Sequence, residues 1–64
     1  MNGFITKSGS VYHITQDNRI YGGNSLPRPV RFNPKTCRMF CGYNGYFELE
    51  DGRQLRTSVI EKYF

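Results

Sequence analysis

A small antiparallel all-β barrel of five or six strands is the fold this sequence predicts, and three observations carry that expectation. Val, Ile, Thr, Tyr and Phe together supply 21 residues, whereas Ala is absent and Leu occurs only three times. That balance suits half-buried pleated surfaces and gives helices little to work with. Seven Gly and three Pro recur at strand-length intervals, which is the punctuation of short strands joined by tight turns. The 64-residue length leaves room for one domain, residues 1–64, that buries only about 60% of its unfolded surface. Marginal stability and a shallow working face are therefore expected, rather than a deep pocket.

Phe4-Ile5-Thr6-Lys7 and Ser10-Val11-Tyr12-His13-Ile14-Thr15 read as two strands joined through Ser8-Gly9. Gln16-Asp17-Asn18 is turn chemistry, because Asp and Asn bond their own backbone, and it leads into a short Arg19-Ile20-Tyr21 strand. Gly22-Gly23-Asn24-Ser25 breaks that strand. Leu26-Pro27-Arg28-Pro29 cannot lie in a sheet centre, since neither proline has an N–H for the ladder, and is expected as an exposed edge or connection. Val30-Arg31-Phe32 alternates as a strand. Asn33-Pro34-Lys35-Thr36 turns, Cys37-Arg38-Met39-Phe40-Cys41 runs back as a strand, and Gly42-Tyr43-Asn44-Gly45 turns again.

Register decides the next hairpin, Tyr46 to Thr57. A two-residue Asp51-Gly52 turn would set Leu49 opposite Gln54 and Glu48 opposite Leu55, mixing apolar and polar residues on both faces. A three-residue Glu50-Asp51-Gly52 loop with Gly52 left-handed instead pairs Phe47 with Leu55 and Leu49 with Arg53. Glu48 with Gln54 and Tyr46 with Arg56 then occupy the other face, where aromatic–cation pairing adds a few tenths of a kcal/mol. The three-residue loop is the predicted one.

Thr57-Ser58 is expected to close a short 3₁₀ turn near the C-terminus by side-chain to backbone bonding, before a last strand over Glu61–Phe64. Hairpins followed by such a turn and a terminal strand resemble an SH3-like barrel, in strand layout across the whole chain and not in any motif. The predicted core is Phe4, Val11, Ile14, Ile20, Val30, Phe32, Met39, Phe47, Leu49, Leu55, Val59 and Ile60.

Catalytic chemistry has little to build on. His13 is the single histidine and shares parity with Val11 and Thr15 in a strand, which makes it a structural strand residue. The five carboxylates, Asp17, Glu48, Glu50, Asp51 and Glu61, form no spaced acid/base pair. Cys37 and Cys41, four apart in an expected strand, would lie about 13 Å from one another, too far for a disulfide. They are expected to pack in the core, and with one His they cannot complete a structural zinc site. Gly22-Gly23 lacks the lysine and helix of a phosphate loop. No enzyme activity, cofactor or metal is expected.

Charge is the informative property. The chain carries a net +4, and Arg19, Arg28, Arg31, Lys35 and Arg38 fall in the stretch 18–47, which contains no acid. The remaining four cations face five acids. Cations for phosphates interleaved with aromatics for bases are what nucleic-acid binding requires. The candidate site is therefore Arg28, Arg31, Lys35, Arg38 and Arg56 on phosphates with Tyr43 and Tyr46 stacking, Tyr21 being a further candidate platform.

The alternative is a protein-interaction module or small inhibitor, of the kind mobile elements carry, that sets the same Tyr- and Arg-rich surface against an acidic partner protein. Basic residues also guard exposed sheet edges, and Leu26–Val30 serves equally as a rigid connection or an extended docking segment. The Pro-containing edge and Tyr63-Phe64 leave a homodimer compatible with the sequence. No apolar run reaches the ~20 residues of a membrane span, no signal-like N-terminus is present, and two cysteines make no disulfide framework. A cytoplasmic protein is expected.

Overall fold

Strand-forming and turn-forming residues alternate in the computed structural model, which describes residues 1–64, as they do in the sequence. The strands are β1 (Gly3–Thr6), β2 (Val11–Ile14), β3 (Arg19–Gly22), β4 (Leu26–Arg31), β5 (Asn44–Glu48) and β6 (Gln54–Tyr63). All pair antiparallel, in the order β4-β3-β2-β1-β6-β5. The sheet curls into a half-barrel consistent with a small SH3-like barrel. No helix is long and apolar enough to cross a membrane.

Three of the turns share one construction. In loops 7–9, 16–18 and 50–52 the residue before the loop donates its N–H to the residue after it: Thr6 to Ser10 at 2.9 Å, Thr15 to Arg19 at 2.9 Å and Leu49 to Arg53 at 2.8 Å. The third loop residue is left-handed each time, Gly9 at φ +89°, Asn18 at +62° and Gly52 at +93°. Glycine and asparagine are the residues that reach this conformation at least cost. The last loop sets the predicted register, with Tyr46 opposite Arg56, Phe47 opposite Leu55 and Glu48 opposite Gln54.

Curling brings together aromatics from strands that are not neighbours. Phe4 of β1 stacks on Phe47 of β5 with ring centroids 6.0 Å apart and planes within 3°, although β6 separates the two strands in the sheet. Tyr12 stacks on Phe4 at 5.2 Å, and Phe32 meets Phe47 edge-on at 5.2 Å. Ile20, Leu26, Leu49, Leu55 and Ile60 complete the buried cluster. The two outer strands meet at one end, where Phe32 bridges Leu49 and two flanking bonds, Asn33 N–H to Glu48 O and Glu50 N–H to Arg31 O, close the sheet locally. Pro27 and Pro29 lie exposed on outer strand β4, as expected of a strand edge.

Several expectations are corrected. No 3₁₀ turn forms near the C-terminus: Thr57 and Ser58 lie inside the ten-residue strand β6. The bend expected there is absorbed by register shifts in its partners, between Asn44 and Tyr46 on β5 and between Ile5 and Thr6 on β1. The Cys37–Cys41 segment is not a strand, since only Arg38 makes a ladder contact, with Tyr46. Its cysteines are free; Cys37 packs against the core but Cys41 is exposed.

In β2 it is Tyr12, not Val11, that enters the core, and Val11 is 39% exposed. Tyr12 pairs with Gly22 and lies over Gly23, where an added Cβ would meet its ring at 2.6 Å. Gly23 therefore makes room for the tyrosine ring, while Gly22 makes room for the β2 backbone, since a Cβ there would lie 2.3 Å from Val11 O. Leu26, expected in an exposed edge or connection, lies on the edge strand but is buried, while Ile14, Val30 and Met39 pack only partly against the core and Val59 is half-buried.

Two expectations test this architecture. Gly52→Ala should cost about 1–2 kcal/mol in urea unfolding, because no atom crowds its Cβ and only the left-handed backbone resists, and Gly52→Asn should recover most of that loss. Leu26→Ala should cost about 2–5 kcal/mol while Val11→Ser stays within about 0.5 kcal/mol; the reverse ranking would mean that β2 and β4 face the other way.

Candidate functional site

The segment after Phe32 builds the site, since it has few strand bonds of its own and is tied down by side chains. Asn33 accepts the Lys35 N–H on its Oδ1 at 2.9 Å, an Asx turn around Pro34. Arg38 and Tyr46 exchange both backbone bonds, at 2.8 and 3.0 Å, so the segment lies along the outer edge of β5. The Tyr63 hydroxyl donates to Met39 O and accepts from the Cys41 N–H, and the Gly42 N–H reaches Ile60 O at 2.9 Å. The turn Phe40–Tyr43 is closed by Tyr43 N–H to Phe40 O at 3.1 Å, with Gly42 at φ +91°.

Beneath this segment, the Thr57 side chain of β6 fills the space beside Gly45 of β5. Thr57 is buried, and its Oγ1 accepts the buried Gly45 N–H at 2.9 Å while donating to Ser58 O at 2.7 Å. A Cβ on Gly45 would lie 2.7 Å from that oxygen, so no other residue fits without movement. Asn44 Nδ2 donates to Thr57 O at 2.8 Å. These bonds hold the β5 register shift and set where Tyr46 emerges.

The result is an open groove of about 730 Å³ lined by Lys35, Thr36, Cys37, Arg38, Asn44, Gly45, Tyr46, Glu48 and Arg56. A smaller cleft lined by Arg38, Phe40, Tyr43 and Asn44 adjoins it through Arg38 and Asn44. Phe40 is 63% and Tyr43 70% exposed. The Arg56 guanidinium lies over the Tyr46 ring, 5.5 Å from its centroid. That contact orients the cation without neutralising it.

Three of the nine cations are held in ion pairs, and all three lie outside the groove. Arg19 pairs with Asp17 at 2.9 Å, Arg31 with Glu50 at 3.3 Å and Arg53 with Asp51 at 2.6 Å. The Thr15 hydroxyl foremost, with Arg19, holds the Asp17 carboxyl below its ordinary range, and Arg53 does the same for Asp51. Asp51 in turn raises the Arg53 guanidinium. Lys35, Arg38 and Arg56 make no carboxylate pair. Burial pushes the Cys37 thiol up, which leaves it protonated at neutral pH and a poor nucleophile.

Of the residues selected from sequence, Lys35, Arg38, Tyr46 and Arg56 share the groove and Tyr43 borders it. Arg28 stands exposed on β4, outside both clefts, and Arg31 points to Glu50 and the Asp17 carbonyl. Tyr21 stacks on His13 at 4.8 Å, with Phe64 edge-on to the same imidazole at 5.5 Å, in a separate cluster. Tyr46 is half-buried and carries Arg56, so the freely exposed rings are Tyr43 and Phe40. Phe40 was expected in a strand through Cys37–Cys41, but it lies outside any strand, in the turn Phe40–Tyr43. No three His, Cys, Asp or Glu side chains come together as metal ligands would. Comparisons with protein-family models, with curated proteins and with solved structures found no match.

Thr57→Val keeps the side-chain volume but leaves the buried Gly45 N–H without its acceptor. It should cost about 1–3 kcal/mol in urea unfolding and speed hydrogen exchange at the Gly45 amide; unchanged exchange there would remove Thr57 from its role in holding the groove.

Proposed function

We propose that this domain is a non-catalytic nucleic-acid-binding module of the cytoplasm, with the groove between β5, β6 and the 33–43 segment as its contact surface. The observation that supports this reading is the gathering of Lys35, Arg38 and Arg56, none paired with a carboxylate, in one open groove beside exposed aromatic rings. Cations that hold no internal anion are free to neutralise phosphates, and the counterions this releases from the nucleic acid make the binding salt-dependent. Arg56, already oriented by Tyr46, loses less side-chain freedom on meeting a phosphate than a free arginine would.

A protein-interaction module or small inhibitor that engages an acidic partner is the second reading. The Phe40–Tyr43 pair favours it, since an exposed aromatic centre rimmed by Arg38 is the anatomy of a protein hot spot.

Fluorescence anisotropy of the purified domain against labelled DNA and RNA, at low and physiological salt, separates the two. Micromolar or tighter binding that weakens linearly on a log–log salt plot is expected. Lys35→Glu/Arg38→Glu/Arg56→Glu should abolish it, while Arg28→Glu, on the separate edge strand, should leave affinity within about threefold. Absence of binding even at low salt would overturn the nucleic-acid reading and leave the acidic-protein reading in its place.

A further inference from the structure

Resting on the nucleic-acid reading of this groove, we infer that the ligand is a single strand with unstacked bases, and that duplexes are excluded as specific partners. The surface divides by chemistry. Lys35, Arg38 and Arg56 supply charge along the groove, and Phe40 and Tyr43, joined to it through Arg38 and Asn44, supply the most exposed aromatic rings near it. Those rings have no packing role to explain their position: neither belongs to the core or to a ring–ring contact. A flat ring beside a cation binds a base face while the cation holds the neighbouring phosphate. A duplex offers no free base face.

Duplex reading also needs an element that enters a groove, a helix or a two-stranded ribbon. The chain has no helix. Of the four hairpin tips, 50–52 carries Glu50 and Asp51, and 16–18 carries Asp17, acids that leave no free cation at either tip. Tips 7–9 and 23–25 carry only Lys7 between them and border a separate cleft that shares no residue with the groove. The cations lie instead in a concavity whose far end is marked by Glu48, which also lines the adjoining cleft with Glu50. A single strand fits this arrangement with its phosphates towards Lys35 and Arg56 and its bases over Tyr43 and Phe40.

The test is anisotropy with labelled oligo-dT and oligo-U of about ten nucleotides and with a mixed-sequence duplex, using the wild type and Phe40→Ala/Tyr43→Ala. At least one single strand should bind about tenfold or more tighter than the duplex, with a log–log salt slope of about −2 for three phosphates neutralised on a single strand. The preferred strand, dT or U, identifies which source of the shared chemistry the site takes. The double variant, with both side chains exposed, should keep its thermal melt and lose about 30-fold or more in single-strand affinity, each ring contributing about 5-fold at the least. Duplex binding as tight as single-strand binding, or unchanged single-strand affinity in the folded double variant, would overturn this inference while sparing the nucleic-acid reading. Failure of all three oligonucleotides to bind would overturn both.

Discussion

The stack of Phe4 on Phe47 is the contact on which the rest of the structure depends. The two rings come from strands on opposite sides of β6, and a flat sheet would hold them two strand spacings apart. They can touch only if β6 bends and carries β1 and β5 round to face one another. Bending without breaking needs register shifts on both sides of β6, and these occur opposite its middle and C-terminal parts. In a chain this short each buried aromatic is a large share of the core, on the order of 1.5–3 kcal/mol of transfer free energy per ring. The curl therefore follows from the core.

The candidate site is a by-product of that curl. Where β5 shifts register against β6, at Gly45, the Thr57 hydroxyl takes the place a ladder partner would have filled. The shift turns Tyr46 outward beside Arg56, and it leaves the outer edge of β5 to be covered by the segment that carries Arg38. That segment serves two purposes, sealing an edge that would otherwise template aggregation and delivering two cations, Lys35 and Arg38, and two aromatics to the groove and its adjoining cleft. Tyr63, near the end of the chain, fixes the far side of the segment through Met39 and Cys41. Phe64 folds back onto His13, and its backbone bonds Asn2 and Gly3, so the terminal residues are engaged within the chain itself.

Charge neutralisation sorts the surface. The basic stretch 18–47 is continuous in sequence but not in space. Arg19 and Arg31 meet Asp17 and Glu50, and Arg28 stands apart on β4. Arg56, from the acid-rich flank, joins Lys35 and Arg38 because the hairpin register sets it across from Tyr46. A count of cations along the chain thus overstates the cluster at one end and misses its connection at the other.

What the sequence by itself determined is what local sterics and two-residue parity decide. The all-β class, the exposed proline edge and the β5–β6 register follow from backbone conformations that Gly and Pro permit or forbid and from the alternation Phe47, Leu49 against Leu55. Only the tertiary structure decided that β6 runs unbroken through Thr57-Ser58, because a hydroxyl that could close a local turn found the Gly45 amide twelve residues away. Only it decided that Tyr12 displaces Val11 from the core, since the space for its ring comes from Gly23, just beyond the next strand. The separation of Arg28 and Arg31 from Lys35, Arg38 and Arg56 belongs to the same class: it depends on which strands lie side by side and which acids reach which cations, and neither is set by spacing along the chain.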